Sequence, residues 1–166
     1  MKTLRNLDLK SERNSYIVAV AIALLVASVL LGYYYVDLRP KSEGYMTLYL
    51  LNTQKDATEY PETLVNGVNS IFSVYVDVEN HMGEPQDCTV YVKVVQDMNP
   101  TFPVYSVEPT LNFTELVADG AIWEESASIP LTQAGNYMVV FELWTTNEKE
   151  ELQFTDIFTA LNIQVL

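Results

Sequence analysis

A soft metal site is built from sulfur and imidazole ligands, and this chain holds one histidine, one cysteine and five methionines. His81, Met82, Cys88 and Met98 share one stretch of the chain. A trigonal copper centre needs two histidines beside the cysteine, and a dinuclear one needs paired cysteines; neither set is present. These four residues therefore support an extracytoplasmic metal-binding or electron-transfer domain as the alternative reading, with Cys88 read first as a small apolar residue opening a strand. Nucleophilic catalysis needs a base held beside the nucleophile. His81 is the single histidine, it follows Asn80 in an expected loop, and no serine stands in a nucleophile-elbow context. The carboxylate runs Glu124-Glu125 and Glu148, Glu150, Glu151 lack the alternating Asp/Asn loop of a calcium site and read as solvated charge. No glycine-rich phosphate loop is found. We assign no catalytic residue, no metal ligand and no cofactor, and expect a non-enzymatic protein.

One motif invites modification. Asn112-Phe113-Thr114 is an N-glycosylation acceptor, whereas Asn99-Pro100-Thr101 is barred by its proline. Such a site is usable only outside the cytosol, so its worth depends on which elements position it and on which side of a membrane.

The positioning element is the charge-free run from Asn14 to Val36, 23 residues between Arg13 and Asp37. As a helix it would rise roughly 30 to 35 Å, the thickness of a bilayer's hydrocarbon core, with all its backbone groups bonded internally. Tyr16 at one end and Tyr33, Tyr34 and Tyr35 at the other suit the two interfaces. Lys2, Arg5, Lys10 and Arg13 precede it, against Arg39 and Lys41 beyond, which places the N-terminus in the cytosol and the rest outside. A cleaved signal would have an apolar core of about 7 to 15 residues ending in small side chains. This run is longer and ends in Tyr33-Tyr34-Tyr35-Val36, with Ala27-Ser28-Val29 the one place a peptidase could favour, so an uncut single-pass signal anchor is expected. Ala19, Ala23 and Ala27 recur every fourth residue, as do Ser28 and Gly32. They form a stripe of small side chains that would let another membrane helix, or a second copy, come close.

Residues 1–13 are then a cytoplasmic tail too short and polar to fold alone, 14–36 the membrane helix, 37–44 a linker and 45–166 an outer domain. Between Ser42 and Leu166 stand 19 of the 22 acidic residues against Lys55, Lys93 and Lys149, a formal charge of −16. That disfavours nucleic acid and anionic headgroups, and fits solubility at an exposed or saline surface, with a diffuse cation-binding face as the alternative. The lone Cys88 makes no internal disulfide, so the domain must stand on its apolar core.

Period two runs through that domain. Met46, Leu48 and Leu50 alternate with Tyr45, Thr47 and Tyr49; Phe72, Val74, Val76 and Val78 with Ser73, Tyr75, Asp77 and Glu79; Val90, Val92 and Val94 with outward Thr89, Tyr91 and Lys93. Tyr60-Pro61 and Asn66-Gly67 mark a loop or short extra strand, and residues 80–85 read as a hairpin loop. Thr114 to Asp119 before Gly120 reads as a helical turn, and Trp123 to Leu131 as a weak edge strand. Tyr137, Val139, Phe141 and Leu143 share one face, and Ile157, Leu161, Ile163 and Val165 give the last strand. Gln133-Ala134-Gly135-Asn136-Tyr137 has the placement of a tyrosine corner. Some seven strands in this length predict an all-β domain, an immunoglobulin-like antiparallel β-sandwich, with a jelly roll as the alternative.

Leu48-Tyr49-Leu50-Leu51, then Tyr60-Pro61-Glu62-Thr63-Leu64 and Gly67, then Val76-Asp77-Val78-Glu79-Asn80-His81 together resemble the archaeal membrane-protein family catalogued as domain of unknown function 1616. Members often carry several membrane helices where this chain has one. The resemblance implies an archaeal, outward-facing, membrane-tethered β-domain and brings no activity with it. The expectation is a membrane-anchored interaction or structural module, a subunit of a cell-envelope or membrane-protein assembly whose partners are the bilayer and other envelope proteins or itself.

Overall fold

The structure is a computed structural model and describes residues 2–35, 44–67, 70–96, 98–147 and 149–166. It divides into two units, 1–42 and 43–166. The linker expected at 37–44 lies outside the described residues except for Gly44, as does Val36 at the end of the apolar run.

The first unit is one helix, α1 (Lys2–Tyr33). The polar residues before Arg13 do not fold alone; they extend the helix, because adding a residue to a formed helix avoids the nucleation cost. The stretch Tyr16–Tyr33 is long and apolar enough to cross a membrane, and none of it is buried.

The second unit is an all-β, immunoglobulin-like sandwich. Strands β1 (Tyr45–Leu51), β3 (Ile71–His81) and β6 (Ile122–Pro130) form one sheet in the order β1-β3-β6. The strands β2 (Thr63–Leu64), β4 (Gln86–Val95), β5 (Leu111–Val117), β7 (Gly135–Thr146) and β8 (Leu152–Val165) form the other, in the order β2-β8-β7-β4-β5. All pairings are antiparallel but that of β2 with β8. The alternation expected from sequence is the packing observed: Phe72, Val74, Val76 and Val78 face Val90, Val92, Val139, Phe141 and Leu143 between the sheets. Tyr137 is buried and its hydroxyl donates to the Gln133 carbonyl at 3.0 Å, the bond of a tyrosine corner. β6 lies at a sheet edge, as expected.

Two local expectations are corrected. Thr114 to Asp119 does not form a helical turn: residues 111–117 are β5, paired with β4 from Val92 to Gln86, with Leu111 and Phe113 against the core and Val117 buried. Gly120, at φ 73°, serves the turn that follows. Residues 80–85 do not close a hairpin, since β3 and β4 lie in different sheets; the segment carries the chain across the sandwich. Asn80, fully buried, organises that crossing. Its Nδ2 donates to Glu84 O and Val117 O at 2.8 and 2.9 Å, while its Oδ1 accepts from the Met82 N–H. Its backbone pairs with Ala121 and Gly120 on the β5–β6 connection. One residue thus ties together two of the connections between the sheets, β3–β4 and β5–β6.

Candidate functional site

The metal set of the alternative reading is dispersed. His81 ends β3 in the smaller sheet, stacked on Tyr45 with centroids 4.7 Å apart and 3.5 Å from a Glu79 oxygen. Cys88 lies in β4 of the larger sheet, wholly buried, its thiol aimed at Gln86 O and pushed up to about 11 by burial and then by Asp87. A thiol so raised is a poor source of thiolate. Met82 and Met98 are exposed. Among the described residues no three of His, Cys, Asp and Glu converge in a way that could hold a metal ion.

The motifs behind the family resemblance serve the fold. Leu50 and Leu64 are core residues, Tyr60 donates to Leu50 O at 2.7 Å, and Asn80 ties the crossing just described.

The outer face of the smaller sheet gathers tyrosines and carboxylates. Register places Tyr49, Asp77 and Glu124 side by side across β1, β3 and β6. Tyr49 donates to Glu79 at 2.9 Å; burial, reinforced by Glu79 and Asp77, pushes its phenol up to about 12. Asp77 is buried, and its carboxyl is raised by that burial first and by Glu124 second, against weaker downward pulls from Tyr49 and Lys55. Its Oδ1, like Thr47 Oγ1, is buried with no hydrogen-bond partner among the described residues. Lys55 reaches over from the loop after β1 to pair with Glu124 at 2.7 Å, its ammonium 5.0 Å from the centre of the Tyr75 ring.

The outer face of the larger sheet holds what the sequence hid. Lys93, expected in solvent, is buried, and so is Glu142 on the neighbouring strand. Their charged groups meet at 2.9 Å. Lys93 Nζ also donates to Val104 O and the Val104 N–H donates to Glu142 Oε1, both at 2.5 Å. The covering segment runs from Phe102 to Val107. Val104 packs on Val95 and Val140, and Phe102 stacks on Phe158 with centroids 3.8 Å apart. Thus one stretch of chain supplies both the apolar lid and the backbone groups that satisfy the ion pair, as a buried pair requires.

Beside the pair is a recess of about 400 Å³ lined by Tyr91, Tyr105, Trp144, Lys93, Glu108 and Asn112, among others. Trp144 is its hub, edge-on to Tyr91 at 5.7 Å and to Tyr105 at 6.4 Å, with Phe154 behind it at 5.5 Å. Asn112 is thereby placed at an aromatic hollow. Of the small-residue stripe, Ala19, Ala23, Ala27, Ser28 and Gly32 are all exposed on α1. The Ser28 hydroxyl already bonds to Leu24 O and Leu25 O, so it carries no unmet polar demand.

No protein-family model matches the sequence. No curated protein matches it either. Among solved structures, the crystal structure of the CARDB domain of a Pyrococcus furiosus protein, in complex with di-metal ions, is similar over 76% of this chain and 97% of its own, at 13% identity and TM-score 0.51. A solution NMR structure of the same domain is similar over 76% and 98%, at 14% identity and TM-score 0.51. This likeness shows the immunoglobulin-like fold.

Proposed function

We propose that the chain is a membrane-anchored, non-enzymatic interaction or structural module of a cell-envelope or membrane-protein assembly. The N-terminus faces the cytosol and residues 45–166 stand outside. The observation that carries this is the apolar stretch Tyr16–Tyr33, wholly unburied and joined to a domain with a core of its own. A helix apolar all round is stable where lipid or other helices surround it. The stripe of Ala19, Ala23, Ala27, Ser28 and Gly32 is the face for a partner helix. An archaeal origin is what the resemblance to the 1616 family implies. A formal charge of −16 over residues 42–166, with Glu124 exposed on β6, suits a basic partner for the outer domain.

Alkaline carbonate washing of membranes, followed by proteinase K on right-side-out vesicles, tests the placement. The chain should stay in the pellet and lose its outer domain to the protease. Release by carbonate would remove the anchor from the reading, and a protected domain would reverse the orientation. Stoichiometric copper in the purified chain, lost in Cys88→Ser, would replace the module with the metal-binding alternative.

A further inference from the structure

We propose that Asn112 is N-glycosylated and that the first sugars of its glycan seat in the recess formed by Tyr91, Tyr105 and Trp144. The proposal rests on the outward placement of the domain argued above, and on two independent features of the fold. The first is the presentation of the acceptor. β5 ends the larger sheet, so one of its edges is unpaired. Leu111 and Phe113 turn toward the core, leaving Asn112 and Thr114 exposed together on the outer face, two residues apart on a strand of period two. The Thr114 hydroxyl shares a hydrogen bond with that of Thr89 at 3.1 Å, which orients it on that face.

The second is the hollow itself. Asn112 stands directly opposite Tyr91 in the β4–β5 register and lines the recess. Facing strand positions hold their Cβ atoms about 5 Å apart, so a ring joined to Asn112 Nδ2 begins beside the Tyr91 ring. Tyr105 is 80% exposed and stands at the recess with its hydrophobic face open. A sugar ring has an apolar face of C–H groups and a polar rim. Aromatic walls with Glu108 at the edge offer both surfaces, and about 400 Å³ lies within the range of small-ligand sites, roughly 300–1,000 Å³. A solvent-exposed tyrosine beside a partly buried tryptophan leaves apolar surface uncovered on an otherwise acidic domain; a covalently held glycan covers it.

The donor class is a lipid-linked oligosaccharide phosphate, used by a membrane oligosaccharyltransferase. Asn112 Nδ2 forms a bond to the anomeric carbon. The bond from that carbon to the phosphate oxygen breaks, its electron pair leaving on the lipid phosphate, and one amide proton passes to solvent.

The full chain, expressed in a host that N-glycosylates outside the cytosol, is analysed by intact mass and by mass spectrometry of the Asn112 peptide. The expected result is a glycan on Asn112 in wild type and in Thr114→Ser, and its loss in Asn112→Gln and Thr114→Ala. The seating is read in a Trp123→Phe background, where Trp144 is the single tryptophan. Acrylamide quenching of its fluorescence should be lost in the glycosylated chain relative to Asn112→Gln, and restored by Tyr105→Ala, a change at an exposed side chain. An unmodified Asn112 on a domain that external protease cuts overturns the site alone; an unmodified Asn112 on a protected domain overturns it together with the outward placement. Equal quenching with and without the glycan overturns the seating.

Discussion

The two outer faces of the sandwich bury charge in opposite ways. On the larger sheet Lys93 and Glu142 are sealed under the Phe102–Val107 segment, each bonded to the other and to Val104. On the smaller sheet Asp77 is buried beside Glu124, a like charge directly opposite, with Lys55 reaching in from a loop. The first face has spent its polar groups on itself. The second keeps a buried, unpartnered carboxylate oxygen and a raised carboxyl, a polar demand that its own fold leaves unmet. Burial of charge is thus benign where the cover brings hydrogen bonds with it and costly where it brings only bulk.

The largest expected effect tests the sealed pair. Glu142→Leu strands a buried ammonium and the Val104 N–H, and should cost ~3–5 kcal/mol, whereas Lys93→Met with Glu142→Leu should return most of it. Denaturant unfolding of the full chain in mild detergent, followed by tryptophan fluorescence, measures both. A single variant as stable as wild type would end the contrast between the faces. Next is the cover: Phe102→Ala removes a half-buried ring stacked on Phe158 and should cost ~1–2 kcal/mol, below the roughly 3–5 of a fully buried phenylalanine. Faster hydrogen exchange at the Val104 amide should accompany it.

Asp77→Asn sharpens the other side. Because the folded carboxyl is raised above its ordinary 3.8, the folded state holds its proton more tightly than the unfolded state. Stability should therefore fall as pH rises from about that value through the raised one, and the cost persists at neutral pH. Asp77→Asn should be more stable than wild type at pH 7 and lose that part of the pH slope. A variant that unfolds more easily at neutral pH would show Asp77 to be satisfied as a carboxylate. The smallest effect is that of Lys55→Ala, an exposed pair whose loss should be slight at low salt and vanish as salt is raised.

Much of the fold was legible because one face of most strands is buried. Period two in residues 72–79 and 137–143 gave strands, inward faces and the tyrosine corner. Pairing was not, since alternation says which face is inward and nothing about which strand lies beside it; the crossing at Asn80 was therefore read as a hairpin. β5 was missed because most of its exposed side chains are polar and a glycine follows them, the signature of a stopped helix, while the edge of β4 supplied the bonds that decided the matter. Lys93 was read on the right side of its strand. Its burial comes from the Phe102–Val107 segment, and no local pattern announces a cover that closes from elsewhere in the chain. Asn112 was found by its motif. The aromatic hollow beside it joins Tyr91, Tyr105 and Trp144 from three separate parts of the sequence, and spacing alone could not assemble it.

The burial of Lys93 also sets what reagents can see. Residues 45–166 contain no arginine and three lysines, and with Lys93 sealed the described surface offers two amines, Lys55 and Lys149. Amine-directed crosslinkers therefore sample Lys149 and, through Lys55, the margin of the smaller sheet's outer face, and pass over the outer face of the larger sheet, so a map of the partner calls for carboxylate-directed or photoactivated chemistry. Lys93 becomes a clock instead: its acylation rate in the native chain, set against that of Lys149, reports how often the Phe102–Val107 cover lifts.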